Sequence, residues 1–534
     1  MTPHPRRTAG SIALGSVALL ALAACASAGG GAATAGATPV DGGNLTFAIS
    51  VDSQCIDPQQ VGNNDAIAIA RQTVASLTTQ DPETGELSPW LAESFEVNAD
   101  ATSFAFTLAE GPTYADGTPI DAASVKTNLE AIQALGAKAS LGSTYLSGLS
   151  SIEVADARHV TVNFDRPSAQ FLQATSTFSL GLLAPVTASA SQEERCAGDF
   201  IGSGPFSVES YTPDQEAVLA KRPGYDWAPE SAGHQGEARL DSITFVVIPE
   251  AGNRTGSLQS AQIDATAGIA PTDLVLFEGD GFSTTNRANP GVVYNLYPNE
   301  STPKLQDENV RVAISKSIDR AEITETLLGA DDIEARAVLS STTPFFADQP
   351  SLEFDPEAAE TLLEESGWEL GDDGVREKDG EKLAFSVTYW QSPKEVLELV
   401  QQQLRVVGID LQLKFSTIAD VQAAQATGTE DFLYGNLTRA DPDVLRTVFS
   451  ARGTQNNNHR EAGEVDDLLD AQAATSDQAE RQKLVGEAET LLIEQGHSIP
   501  IYQLSTTIVA SDRVHELTFE ASSRLDFYDA WISE

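Results

Sequence analysis

Between residues 385 and 415 the spacing of apolar side chains changes twice. Phe385, Val387 and Tyr389 recur at every second position, the period of a strand. From Ser392 the apolar positions recur at helical spacing, and Gly408 ends that run. Ser392, Pro393, Lys394 and Glu395 read as a capping box at its start. Residues 409–415 then return at once to period two. Strand, helix and strand in this order make a βαβ unit, so the chain needs a sheet with a helix packed over it.

The same patterns recur elsewhere. Residues 44–49, 103–108 and 160–164 alternate as strands do. Residues 243–248 are a more continuous apolar run, which suits a strand buried on both faces. Asp121 can cap a helix carrying Val125, Leu129, Ile132 and Leu135 on one face. Asp355, Pro356 and Glu357 supply an N-cap, a first-position proline and a first-turn acid, and Gly367 ends that helix. Residues 477–495 form another amphipathic helix. The fold class is mixed α/β, without internal repeats. At 534 residues, with 41% hydrophobic and 21% charged, the chain has material for about three domains or lobes.

Charge and the N-terminus narrow the function. Lys plus Arg number 32 against 78 Asp plus Glu, a net charge of −46. Such a surface is a poor partner for nucleic acid, which needs a basic face. No apolar run reaches the 18 or more residues of a spanning helix. Arg6 and Arg7 precede a short stretch of small and apolar residues, 11–24, as in an export signal. That stretch ends in Leu22-Ala23-Ala24-Cys25, which resembles a bacterial lipobox. The expectation is a signal peptide at 1–24 and a lipidated Cys25, holding the protein to the extracytoplasmic side of the membrane. Residues 25–40, rich in Gly, Ala, Ser and Thr, read as a flexible tether. Cys55 and Cys196 then remain. An even number in an exported chain favours one disulfide, and the alternative is two unrelated buried thiols.

Catalytic motifs are missing. His159, His234, His459, His497 and His515 are scattered and read as surface or loop residues, with no metal-binding spacing. Gly202-Ser203-Gly204 lacks the spacing of a nucleophile elbow. No phosphate loop occurs, and no metal, cofactor or catalytic residue is expected. Carboxylate pairs for glycoside hydrolysis are not excluded by count among so many acids, but a solvated acidic surface is the simpler reading.

Several segments together resemble the family 5 solute-binding proteins of ABC importers, the peptide and nickel type. They are Ile56-Asp57-Pro58; Leu87 to Phe95 around Pro89-Trp90-Leu91-Ala92; Ala115-Asp116-Gly117-Thr118-Pro119; Gly202-Ser203-Gly204-Pro205-Phe206; Tyr225-Asp226-Trp227; Val310-Arg311-Val312-Ala313-Ile314 with Ile318-Asp319-Arg320; and Phe354 to Ala359. Ala109 and Arg222 depart from the usual Arg and Asn. The resemblance spans nearly all of residues 41–534. It implies a periplasmic-binding-protein-like clamp, type II and three-lobed: two lobes joined by a hinge plus an extra α/β domain. Lobe I would comprise 41–79, 200–295 and 500–534, the extra domain 80–199, and lobe II 296–499. The implied partners are a small-molecule or peptide ligand held in the cleft and an ABC permease and ATPase complex, with the protein acting as a monomer and leaving its ligand chemically unchanged.

Dipeptide-binding members hold the ligand's ammonium with an Asp three residues before an Asp-Pro-Asp motif. Here that motif is Asp441-Pro442-Asp443, and Thr438 stands at the anchor position with Arg439 beside it. The substitution points away from a free peptide amine and toward an anionic or neutral polar group, because a guanidinium binds carboxylate or phosphate. Alternatively Arg439 pairs with Asp441 or Asp443. Tyr389, Trp390 and Gln391 occupy a strand-to-helix loop that faces the cleft in the family; Trp390 is either a wall for ligand or interlobe packing. Ser53 and Gln54 lie where the first lobe touches ligand. A secreted hydrolase of wall polymers and a sensory lipoprotein with the same clamp are the competing readings.

Overall fold

A computed structural model describes residues 38–328, 333–390, 393–453 and 456–533. The expected signal peptide, Cys25, Gln391 and Ser392 lie outside the described residues.

Three sheets organise the chain. The largest has seven strands in the order Phe282–Ala288, Ser505–Ser511, Ala265–Ala267, Asn44–Ile49, Ser242–Val247, Glu216–Lys221 and Phe206–Thr212. Its central strand runs parallel to Ser242–Val247, with Asn44 opposite Ser242. Phe47, Phe245 and Phe527 pack edge-on at one face. Leu258, Ile263 and Phe277 cover the other face with Ala48. Strand Ser242–Val247 is thus covered on both faces, though its residues alternate between buried and half-buried.

A four-stranded sheet, in the order Ala92–Val97, Ser103–Leu108, His159–Phe164 and Leu149–Val154, is inserted between the first and second segments of the large sheet. Helix Ala122–Leu135 packs on it, buries Val125, Leu129, Ile132 and Leu135, and starts at an Asp121–Ser124 capping box. Phe104, Phe164 and Phe171 meet within 6 Å in its core.

The third sheet runs Asp410–Phe415, Ala384–Tyr389, Phe432–Thr438, Gly291–Pro298 and Ile499–Tyr502. It contains the βαβ unit: Ala384–Tyr389 lies parallel to Asp410–Phe415, and helix Lys394–Val406 connects them. The expected capping box rests on Ser392, outside the described residues. Pro393 is the N-cap of this helix and makes no side-chain cap bond, because proline has no side-chain acceptor to offer. Asp355 and Asp477 do cap their helices, accepting from Ala358 and Glu480.

The chain passes between the seven- and five-stranded sheets at residues 289–290 and 503–504. The strands Gly291–Pro298 and Ile499–Tyr502 belong whole to the five-stranded sheet, so boundaries at 295/296 and 499/500 cut through strands. The two passages are hydrogen-bonded to each other. Asn289 N–H donates to the Leu504 carbonyl (2.7 Å), and the Thr506 hydroxyl donates to Asn289 Oδ1 (2.8 Å). Gly291 has φ +111°, and a Cβ there would stand 2.2 Å from the Leu437 carbonyl oxygen. Only glycine lets the passage turn so close to the neighbouring strand.

Candidate functional site

Four side chains from separate parts of the sequence converge where the three sheet-centred parts meet. Tyr145 ends helix Ser140–Tyr145 of the inserted part. Arg439 follows strand Phe432–Thr438, and its backbone N–H donates to the Pro290 carbonyl in the first passage (3.0 Å). Asn64 opens helix Asn64–Ala70. Arg524 sits in the C-terminal turn between the short strands Thr518–Phe519 and Leu525–Asp526. The Arg439 guanidinium lies 6.0 Å from the Tyr145 ring centroid. Arg524 donates to Asn64 Oδ1.

The electrostatics of this junction are unbalanced. Tyr145 is 5% exposed, and burial pushes its phenol up while Arg439 and Arg524 pull it down. Burial pushes the half-buried Arg524 guanidinium down to about 10; Glu520 opposes that shift and the like charge of Arg439 adds to it. Glu520 is already engaged: it accepts from the Ser522 hydroxyl and stands 3.6 Å from Arg71. Arg439 spends one donor on the neighbouring Thr438 carbonyl (2.8 Å). Among the described residues neither Arg439 nor Arg524 has a carboxylate within ion-pair distance.

The alternative pairing of Arg439 with Asp441 or Asp443 is not what the structure holds. Asp441 is 5% exposed and closed by Arg481 through two bonds of 2.5 and 3.0 Å. Asp443 is gripped by Arg446 at 2.7 and 2.8 Å and by Gln472. A buried carboxylate needs a partner, and both find one on a helix. Asp441, expected among the ligand-binding residues, therefore has its oxygens committed to the protein.

The other candidates are dispersed. Thr438 is half-buried and pairs with Gly291 across the sheet. Tyr389 is buried and packs edge-on against Phe415. Trp390 stands 40% exposed at the end of its strand, next to the exposed Phe415 and Ile418 segment. Ser53 donates to the Cys55 carbonyl, and Gln54 to Asp214 in the turn after strand Phe206–Thr212. These local bonds hold both side chains at that hairpin, and no described contact joins them to Tyr145 or Arg439. Cys55 and Cys196 are joined in a disulfide.

Tyr145, Asn64 and Arg524 were not singled out by sequence. Each belongs to a short element without a motif, and only the fold unites them. The Gly202-Ser203-Gly204 segment is structural. The Ser203 hydroxyl donates to the Leu182 carbonyl and accepts from Ala75 N–H, and a Cβ on Gly202 would stand 1.9 Å from the Thr73 oxygen. A cavity of about 250 Å³ lies between the inserted part and the seven-stranded part, near Arg71, Trp90, Tyr225 and Tyr528. Glu520 also lines it, so the cavity adjoins the junction, though no residue of the five-stranded part lines it. Among the described residues no cluster of metal ligands occurs and no helix is long and apolar enough to cross a membrane.

The family description "Bacterial extracellular solute-binding proteins, family 5 Middle" matches residues 86–459. The glutathione-binding protein GsiB of Escherichia coli K12 is 24% identical over 484 residues, 86% of this chain and 88% of its own. NikA from Brucella suis, solved with Fe(III)-EDTA, superposes with a TM-score of 0.79 at 24% identity, over 92% of this chain and all of that one. The oligopeptide-binding protein AppA from Bacillus subtilis, solved with a nonapeptide, gives 0.73 at 20% identity over 93% of this chain and all of its own. The shared architecture is the lobed clamp of periplasmic binding proteins.

Proposed function

Because the chain belongs to the bacterial extracellular solute-binding proteins of family 5, we propose that it is the lipid-anchored receptor of an ABC importer, capturing a peptide or other small polar or anionic solute at the three-way junction. The observation that carries this reading is the paired passage at 289–290 and 503–504, with Arg439 bonded to it. Two adjacent strand connections are all that cross between the two large sheets in sequence, so a few backbone torsions suffice to move one part against the other. A solute touching both parts stabilises the approach of one to the other by contacts that the separated parts lack. That change of shape is what a permease can read.

The named ligands of two relatives, glutathione and Fe(III)-EDTA, carry carboxylates, which supports a polar acid here. The relatives are named as binding proteins, which favours capture over hydrolysis of a wall polymer. Anchoring through Cys25 rests on the lipobox-like Leu22 to Cys25 sequence.

Native mass spectrometry of the full chain purified from cells tests the reading. A single small molecule should co-purify, and its removal should expand the protein in small-angle scattering. A protein that binds nothing from an extract of its own growth medium and keeps one shape throughout would sink it. For the anchor, Cys25→Ser should move the protein from membranes to the soluble fraction.

A further inference from the structure

Several buried arginines of this protein are closed by a carboxylate. Arg195 meets Asp57, Arg460 meets Asp466 and Arg481 meets Asp441. Arg320 instead gives its donors to three carbonyls and a serine hydroxyl. A guanidinium has five N–H donors. Arg439 places one on Thr438 and Arg524 one on Asn64. The chain is not short of acids, with 78 Asp and Glu against 32 Lys and Arg. Arg222, Arg254 and Arg287 also have no carboxylate within ion-pair distance among the described residues, and their donors go to carbonyls and a threonine hydroxyl. Arg439 and Arg524 differ in standing close enough to repel each other, and two like charges held together without a counter-charge mark a place where the acceptor comes from outside.

The geometry assigns Arg439 and Arg524, with Tyr145 near both, as the receptor for a carboxylate of the captured solute. This rests on the junction being the solute site. Each of the three residues comes from a different sheet-centred part, so a solute held by them ties the three parts together. Guanidinium and carboxylate match as planar, bidentate partners. The Tyr145 hydroxyl has no hydrogen-bond partner among the described residues and can donate to the same oxygen. Glu520 stands 3.6 Å from Arg71 and also acts on Arg524, so part of the positive charge is already met and a singly charged carboxylate suits the place better than a phosphate dianion. The ligand class is therefore a small organic acid, in which a carboxylate is the main handle and the rest of the molecule extends from the junction.

The test uses the full chain, wild type against Arg439→Gln and Arg524→Gln, in calorimetric titrations at matched ionic strength. The probes are sodium succinate, sodium glutarate and L-glutamate, with succinamide as the neutral control and sodium phosphate as the competing anion. At least one carboxylate should bind, succinamide should not, and each substitution should weaken binding tenfold or more. Arg439→Lys, which keeps charge but not the flat fork, should recover only part of the loss. Melting curves of the ligand-free variants show whether each is folded. The assignment fails if all three carboxylates bind no better than succinamide, if phosphate binds tightest, or if both folded variants bind as wild type does. If a neutral solute co-purifies and stays bound in both variants, the carboxylate assignment falls and the receptor reading stands. If nothing binds and the shape never changes, both fall together.

Discussion

Replacing Glu489 by glutamine is expected to stabilise the protein above neutral pH and to have little effect near pH 4.5. Glu489 lies on helix Gln478–Glu494, is fully buried, and accepts one hydrogen bond from Leu339 N–H (2.8 Å). Its second carboxyl oxygen is buried without a partner. Burial pushes its pKa from 4.5 up to about 8, against the pull of the Leu339 and Val338 amides. The folded state therefore keeps a proton that the unfolded chain releases above pH 4.5. Stability from this group is greatest below pH 4.5 and falls as pH rises, at about 1.4 kcal/mol per unit, until it levels off above pH 8. Glutamine keeps the acceptor for Leu339 and cannot ionise. The stability gap between Glu489→Gln and wild type should widen by about 3 kcal/mol between pH 5 and pH 8. Any constant cost of the amide cancels in that difference. Urea unfolding followed at both pH values measures it. A gap that stays the same within about 0.5 kcal/mol would refute a buried, proton-holding Glu489.

Arg481→Met should cost about 3–5 kcal/mol by stranding the buried Asp441, and leave solute affinity near normal in titrations of the folded protein. Changing Cys55 and Cys196 together to serine opens a link across 141 residues of sequence, and the chain-entropy model puts the loss at up to about 5 kcal/mol; unchanged melting would argue against the bridge. Trp390→Ala should leave solute affinity near that of the wild type, since the side chain stands 40% exposed at the end of its strand and away from the junction; a loss of roughly 30-fold, about 2 kcal/mol, in titrations would place the solute at Trp390 instead.

What could be read from the sequence was what local chemistry decides. The βαβ unit at 384–415 and the Asp121 and Asp355 caps involve partners within a few residues or one helix. Asp441 was less legible. Its Asp-Pro-Asp motif is visible, but its partner Arg481 lies 40 positions away on another helix. Nothing in the motif tells a ligand-facing carboxylate from a buried structural one. The junction is the extreme case: Asn64, Tyr145, Arg439 and Arg524 span most of the chain, and no periodicity links them. Arg439 was found only through its place beside a familiar motif.

The unpaired arginines also bear on why such a clamp would stay apart when empty. Arg439 travels with the five-stranded sheet, and Arg524 with the seven-stranded one. Any movement that brings the two parts together brings like charges together. At a separation of about 8 Å and an effective dielectric of about 20, that repulsion is about 2 kcal/mol. It shifts an open–closed equilibrium by a factor of about 30 toward open. A carboxylate between the two guanidiniums reverses the sign, since each then attracts the anion more than it repels the other. The same pair that resists empty closure thus rewards occupied closure. Neutral partners in their place, or a permanent internal carboxylate such as Asp441 provides for Arg481, would remove that dependence on ligand. If the junction holds the solute as proposed, leaving that charge unmatched inside so acidic a protein makes closure conditional on the solute.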